Sequence, residues 1–131
     1  MSLFPVIPIA ASGMEVDQTW LDTIGSNIAN IDDQVRPGAN VFQAQYVAAK
    51  QAPGGGVEVA GIVLSSPKGT LVSDPGNPLA NAQGLVEQPA IDMGTEMVSL
   101  ISAQNEYQAN AAVISHATAA YQDALKIGQN I

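Results

Sequence analysis

The distribution of helix breakers constrains this chain more than any other feature of its sequence. Of the eight prolines and twelve glycines, fourteen lie between Arg36 and Ile91, and the two ends of the chain hold the other six. Proline and glycine interrupt regular structure. The pattern therefore predicts a helical N-terminal unit over residues 1–32, an irregular middle over 33–91 and a helical C-terminal unit over 92–131.

The first helix should run from about Ile9 to Asn30, because Pro5 and Pro8 suit positions before or within a first turn. Side chains at alternating three- and four-residue steps form a largely apolar heptad stripe, which is typical of a helix that packs along one side. The stripe reads Ile7, Ala10, Met14, Asp17, Leu21, Ile24, Ile28 and Ile31. A second apolar stripe in the first half of this helix indicates several neighbours.

The last helix should start near Asp92, a good N-cap residue, and run almost to the end of the chain. Its heptad stripe reads Met97, Leu100, Gln104, Tyr107, Ala111, Ile114, Thr118, Tyr121 and Leu125. Helices of globular proteins average about 11–12 residues, so a stripe of this length is unusual in so short a chain. Apolar helices this long predict self-assembly or co-assembly rather than a freestanding monomer.

The middle segment contains two runs rich in β-formers, Val41–Val47 and Gly56–Leu64, with a Pro-Gly-Gly-Gly loop between them. These runs predict a small β-hairpin, and the turn formers of Ser73–Leu79 predict a loop. The fold class is therefore mainly α. Long N- and C-terminal helices should form an antiparallel, coiled-coil-like pair joined by a short hairpin and loop segment.

Counting stripe positions in opposite directions gives the register of this pair. Ile24 should face Leu100, Leu21 should face Gln104, and Asp17 should lie near the Tyr107 hydroxyl, which could donate to its carboxylate.

The residues that carry catalysis or bind metals are scarce. The chain has no cysteine and one histidine, His116, whose neighbours do not have the spacing of a catalytic triad. We therefore expect no catalytic site, no cofactor and no metal. The net charge of −8 disfavours nucleic acid as a partner. Direct membrane insertion and a cleaved secretory signal are not expected either, because apolar runs are short and the first basic residue is Arg36.

Three segments resemble bacterial flagellar rod proteins. Leu21–Asn30, which ends Asn-Ile-Ala-Asn, is similar to the N-terminal signature shared by rod and hook proteins. Asp74–Gly84 and Glu96–Ala103, followed by Tyr107-Gln-Ala-Asn110, resemble the C-terminal half of the proximal-rod family of the FlgC type. The likeness departs from the family pattern at Asn105 and Glu106, where an arginine is common, and at Leu85, where an aromatic residue is usual.

The resemblance implies a structural subunit of the proximal rod, located in the flagellar basal body within the cell envelope. It would be exported by the flagellar type III apparatus and polymerise with copies of itself and other rod proteins into the axle that carries torque to the hook. The expected assembly interface comprises Met14, Trp20, Leu21, Ile24, Asn27, Ile28, Asn30, Met97, Leu100, Tyr107, Ala111, Ile114, Tyr121 and Leu125. The alternative is a non-enzymatic helical adaptor or an export-chaperone-like binding module.

Overall fold

A computed structural model describes the backbone of residues 5–129 and the side chains of residues 5–128. It confirms a long helix near each end of the chain. Residues 1–4 and 130–131 of the two predicted terminal units lie outside the described residues. The elements are α1 (Val6–Ala29), β1 (Gln45–Gln51), β2 (Val57–Leu64), β3 (Thr70–Ser73), β4 (Leu85–Gln88) and α2 (Met93–Gln129).

Helix α1 begins three residues before the predicted start. Pro5 occupies its N-cap position and Pro8 its first turn, where backbone N–H groups have no partner within the helix and a missing donor costs nothing. Asn30 closes the other end, because its backbone N–H and its side-chain Nδ2 both donate to the Ser26 carbonyl, at 3.2 and 2.8 Å.

Helix α2 begins where its capping residue predicts. The Oδ1 of Asp92 accepts hydrogen bonds from the backbone N–H of Thr95 at 2.7 Å and from its hydroxyl at 2.8 Å. These bonds, the backbone one foremost, hold the pKa of the Asp92 carboxyl below its usual range. The helix has 37 residues and is therefore about 55 Å long.

The two helices pack against each other in an antiparallel arrangement. Asn27 bonds to Glu96, and Asp17 bonds to Asn110, so positions rise along α2 as they fall along α1. The predicted pairing of Ile24 with Leu100 lies between these two contacts. The helix pair and its direction therefore agree with the sequence prediction.

The middle contains two antiparallel two-stranded sheets rather than a single hairpin. In the predicted hairpin, β1 pairs with β2, but β1 begins at Gln45 and not at Val41. The reason is that Val41 donates to the Pro67 carbonyl and Ala44 bonds to Ser65, so both contact chain beyond β2. The second sheet pairs β3 with β4 across the turn-rich segment, which was predicted only as a loop.

The buried core of the described residues is thin. Its apolar members are Ala10, Ile24, Val41, Ala44, Val86, Ala103 and Ala117. Four of these seven are alanines, which allow elements to approach closely but bury little area. Many larger apolar side chains lie at the surface, including Val98 and Ile101, which are 65% and 55% exposed.

Candidate assembly site

A single asparagine joins three elements at the C-terminal end of α1. The Oδ1 of Asn27 accepts from the backbone N–H of Gln45 at 2.7 Å, and its Nδ2 donates to the Gln45 carbonyl at 3.0 Å. The same Nδ2 lies 3.3 Å from Oε2 of Glu96 on α2. Asn27 is completely buried, and its amide pairs with β1 as a neighbouring peptide group would.

A second polar contact lies in the middle of the helix pair. Nδ2 of Asn110 donates to Oδ2 of Asp17 at 2.9 Å, and Asp17 is 4% exposed. Gly13 makes room for this contact, because a Cβ at that position would lie 2.7 Å from Nδ2 of Asn110. Tyr107, which was predicted to lie near Asp17, lines a shallow depression together with Met14 and Gln18.

The buried stripe of α2 is offset by one residue from the predicted stripe at several positions. The inward positions are Glu96, Leu100, Ala103, Tyr107, Asn110, Ile114 and Ala117, of which Glu96, Ala103 and Ala117 are buried. The predicted stripe placed Met97, Gln104 and Thr118 inward, but all three are exposed. Apolar periodicity missed the offset because two inward positions, Glu96 and Asn110, are polar.

The carboxylate of Glu87 connects two distant loops of the middle segment. The Oε2 of Glu87 accepts from the backbone N–H of Gly38 at 2.7 Å, and its Oε1 accepts from the N–H of Gly69 at 2.9 Å. These two bonds, in that order of size, hold the pKa of the buried Glu87 carboxyl below its usual range. Both glycines are required. Gly38 has a positive φ of 87°, and a Cβ on Gly69 would overlap the Gln88 carbonyl oxygen.

A groove runs between α1, α2 and the β1–β2 hairpin. It consists of two adjoining depressions of about 380 and 230 Å³. The residues common to both are Val16, Asp17, Ala49 and Glu106. The hairpin is held over α1 by Ser12, whose hydroxyl accepts from the Val57 N–H at 3.1 Å.

The chain exposes more surface than its mass requires. Its accessible area is 8316 Å², whereas a compact monomer of 13.5 kDa exposes about 6,500 Å². All side chains of residues 118–128 are exposed, and this last part of α2 includes Leu125 and Ile127 at 48% and 66%. Exposed apolar side chains that group together are typical of interaction sites.

The predicted interface residues fall into three groups. Ile24 and Asn27 are 2% and 0% exposed, so they contact other parts of the same chain. Met97, Tyr121 and Leu125 are 42–48% exposed. The remaining residues are half-buried along the helix pair: Met14, Trp20, Leu21, Ile28, Asn30, Leu100, Tyr107, Ala111 and Ile114.

Four residues of the site were not singled out by sequence reasoning: Glu96, Ala103, Asn110 and Glu87. The signal for Asn110 was available, since it closes the Tyr-Gln-Ala-Asn motif that carries the resemblance. Nothing in the sequence marks Glu87, because its partners are backbone groups of two distant glycines.

Within residues 5–129, no group of three or more His, Cys, Asp or Glu side chains is arranged to hold a metal ion. No helix in this same range is long and apolar enough to span a membrane.

A family model and full-length relatives both show similarity to flagellar basal-body rod proteins. Residues 82–127 match the family model described as flagellar basal body rod FlgEFG protein C-terminal. The chain is 37% identical to the flagellar basal-body rod protein FlgC of Escherichia coli O6:H1 and 37% identical to that of Salmonella typhimurium. The Bacillus subtilis protein of the same name is 28% identical. Each alignment covers 98% of this chain and 100% of the relative.

Proposed function

The chain belongs to the FlgC family of flagellar basal-body rod proteins, and we propose that it polymerises through its two terminal helices into the proximal rod. As a member of this family it is a structural subunit of the flagellar basal body. The family is not known for enzymatic activity. The proposed polymer contains copies of the chain together with other rod proteins, and it carries torque from the motor to the hook. The flagellar type III apparatus is the proposed route of export.

The observation that carries this proposal is the surplus exposed surface, about 1,800 Å² more than a compact monomer of this mass would show. A standard protein interface buries about 1,200–2,000 Å² in total. The surplus is thus large enough for substantial contacts with neighbouring subunits. Val98, Ile101 and Ile127, each more than half exposed, lie along α2 and supply apolar area for them.

We also propose that α1 and α2 form a coiled-coil-like layer within the rod. The inward positions of α2 from Glu96 to Ala117 follow alternating steps of four and three residues, the heptad spacing of such pairs. Close-packed side chains deform little under load, so a continuous layer of paired helices suits an element that transmits torque. A helical adaptor or chaperone-like module is not favoured, because the relatives match over their full length and are rod proteins.

The experiment is a matched pair of charge substitutions on exposed positions of α2. Ile101→Glu places a charge on exposed apolar surface, and Gln108→Glu adds the same charge at an exposed polar position. In cells that carry only the variant, Ile101→Glu should reduce completed basal bodies at least tenfold, because a carboxylate would be buried between subunits. Gln108→Glu should leave their number within twofold of wild type.

The free energy of unfolding of both variant monomers should lie within about 0.5 kcal/mol of the wild-type value, since surface substitutions outside special sites have effects of this size. Normal rod numbers in cells that carry only Ile101→Glu would contradict the proposed role of this helix surface.

A further inference from the structure

We propose that the groove between α1, α2 and the β1–β2 hairpin receives the Arg36 side chain of a second copy of the chain. This inference rests on the proposed function and specifies one contact within the polymer.

The groove combines apolar walls with two carboxylates. Ile9 and Val57 line its larger depression, and Trp20 and Val47 line its smaller one. Asp17, 4% exposed, belongs to both depressions. Glu106 also borders both, but it is exposed at the surface of α2.

Neither carboxylate has a cationic partner in the described part of the chain. The ion pairs within residues 5–128 are Lys50–Glu58 at 2.9 Å and Lys126–Asp123 at 3.3 Å. Asp17 accepts its hydrogen bond from the neutral amide of Asn110. Burial of a carboxylate without a cation is unfavourable, so a positive charge from outside the chain would offset part of that cost.

The apolar walls indicate which kind of cation fits. Arginine and lysine pack their aliphatic stems against apolar surface while the charged end reaches a polar partner. Trp20 contributes an aromatic ring to the lining, and a guanidinium stacks on such rings more favourably than an ammonium. The apolar walls, the aromatic ring and the carboxylates of the groove therefore favour an arginine side chain as the occupant.

The chain itself supplies a suitable arginine. Of its four basic residues, Lys50 and Lys126 already form ion pairs. Lys68 lies near the Glu87 carboxylate, and its positive charge helps to lower the pKa of that group. Arg36 is exposed, makes no ion pair among residues 5–128, and follows Val35, whose backbone is fixed by its pairing with Glu87.

The positions of groove and arginine suit a repeating contact. Asp17 lies twelve residues before Ala29, about 18 Å along α1, and Arg36 lies beyond that end of the helix. Arg36 is not among the residues that line either depression, so donor and acceptor are on different parts of the surface. An interface between two different surfaces of one chain is heterologous, and it repeats into a ring or a helical filament. A rod requires this type of contact.

The test is a charge exchange in cells that carry only the variant protein. Arg36→Glu and Glu106→Arg should each reduce the number of completed basal bodies by about tenfold, since they place like charges in contact. The double variant, in which the charges are exchanged, should restore the number to within threefold of wild type. Asn40→Glu, which adds a negative charge at an exposed polar position four residues after Arg36, is the matched control and should have less than a twofold effect. Circular dichroism of the purified variants checks that both exposed substitutions leave the fold intact.

Three results would overturn the proposal. The double variant could be no better than the single ones, or Asn40→Glu could be as harmful as Arg36→Glu. If Glu106→Arg is defective and Arg36→Glu is not, the base comes from another protein and not from a second copy. The proposed function is judged separately, by whether wild-type protein copurifies with basal bodies. Its presence there together with a failed charge exchange would reject only the Arg36 contact.

Discussion

The two glycines in the interior of α1 provide a sharp test of the Asp17–Asn110 contact. A Cβ added at Gly25 meets nothing within 4 Å, whereas a Cβ added at Gly13 would lie 2.7 Å from Nδ2 and 3.1 Å from Cγ of Asn110. Glycine in a helix interior is less favourable than alanine by roughly 0.5–1 kcal/mol. Gly25→Ala should therefore raise the free energy of unfolding by about that amount.

Gly13→Ala gains the same helix propensity but must displace the Asn110 amide. A hydrogen bond to a charged group contributes roughly 1.5–3 kcal/mol, and the amide cannot keep its 2.9 Å bond to the Asp17 carboxylate once the Cβ occupies its place. The net effect should be a loss of about 1 kcal/mol. The two variants should thus differ by about 2 kcal/mol, or roughly 6–10 °C in Tm for a chain of this size.

Urea unfolding followed by circular dichroism measures both variants in the same buffer. A double-mutant cycle isolates the cause. In the Asn110→Ala background the obstruction is gone, so Gly13→Ala should then stabilise the chain about as much as Gly25→Ala does. Equal stabilisation by Gly13→Ala and Gly25→Ala in the wild-type background would refute the assigned contact.

Three further outcomes follow from the described contacts. Asn27→Ala should lower the free energy of unfolding by about 3 kcal/mol in urea titrations, because the half-buried backbone N–H and carbonyl of Gln45 lose their partner. A loss below about 1 kcal/mol would argue against a structural role for the bonds between Asn27 and β1. The lowered pKa of Glu87 means that its contribution is present above the ordinary value of 4.5 and is lost as the pH falls through the lower folded value. Glu87→Gln should therefore flatten the acid limb of the stability profile below pH 4.5, and an unchanged limb would contradict this. Ala111→Leu should block rod completion through overpacking of about 1–3 kcal/mol per subunit contact while the monomer still folds and is exported, and wild-type motility would refute it.

Periodicity was sufficient to predict the helices, because it depends only on repeated apolar positions. The register was also close, since Ile24 and Leu100 lie between the two polar contacts that fix it. The hydrogen-bond partner of Asp17 is Asn110, one helical turn along α2 from the predicted neighbour Tyr107. Asparagine is polar, so a pattern defined by apolar positions does not include it.

The second sheet could not be predicted from apolar periodicity. Strands β3 and β4 have four residues each, too few to show alternation, and their segment is dense in turn formers. What holds this region is the bonding of the Glu87 carboxylate to two glycine N–H groups, 49 and 18 residues away in sequence. Contacts between a side chain and distant backbone leave no local pattern in a sequence.

The helix pair shows an inverted distribution of polarity that bears on assembly. Asp17, Asn27 and Glu96 are at most 5% exposed, while Val98 and Ile101 are more than half exposed. Buried polar groups fix register at a cost in stability, and exposed apolar side chains contribute nothing to the stability of the isolated chain. The polar contacts therefore set how α1 and α2 align, and in the proposed rod further hydrophobic stabilisation would come from neighbouring subunits that cover α2. If α2 is covered in the rod as proposed, hydrogen exchange along α2 should slow strongly upon assembly and only weakly at Asn27, which is already buried within the chain.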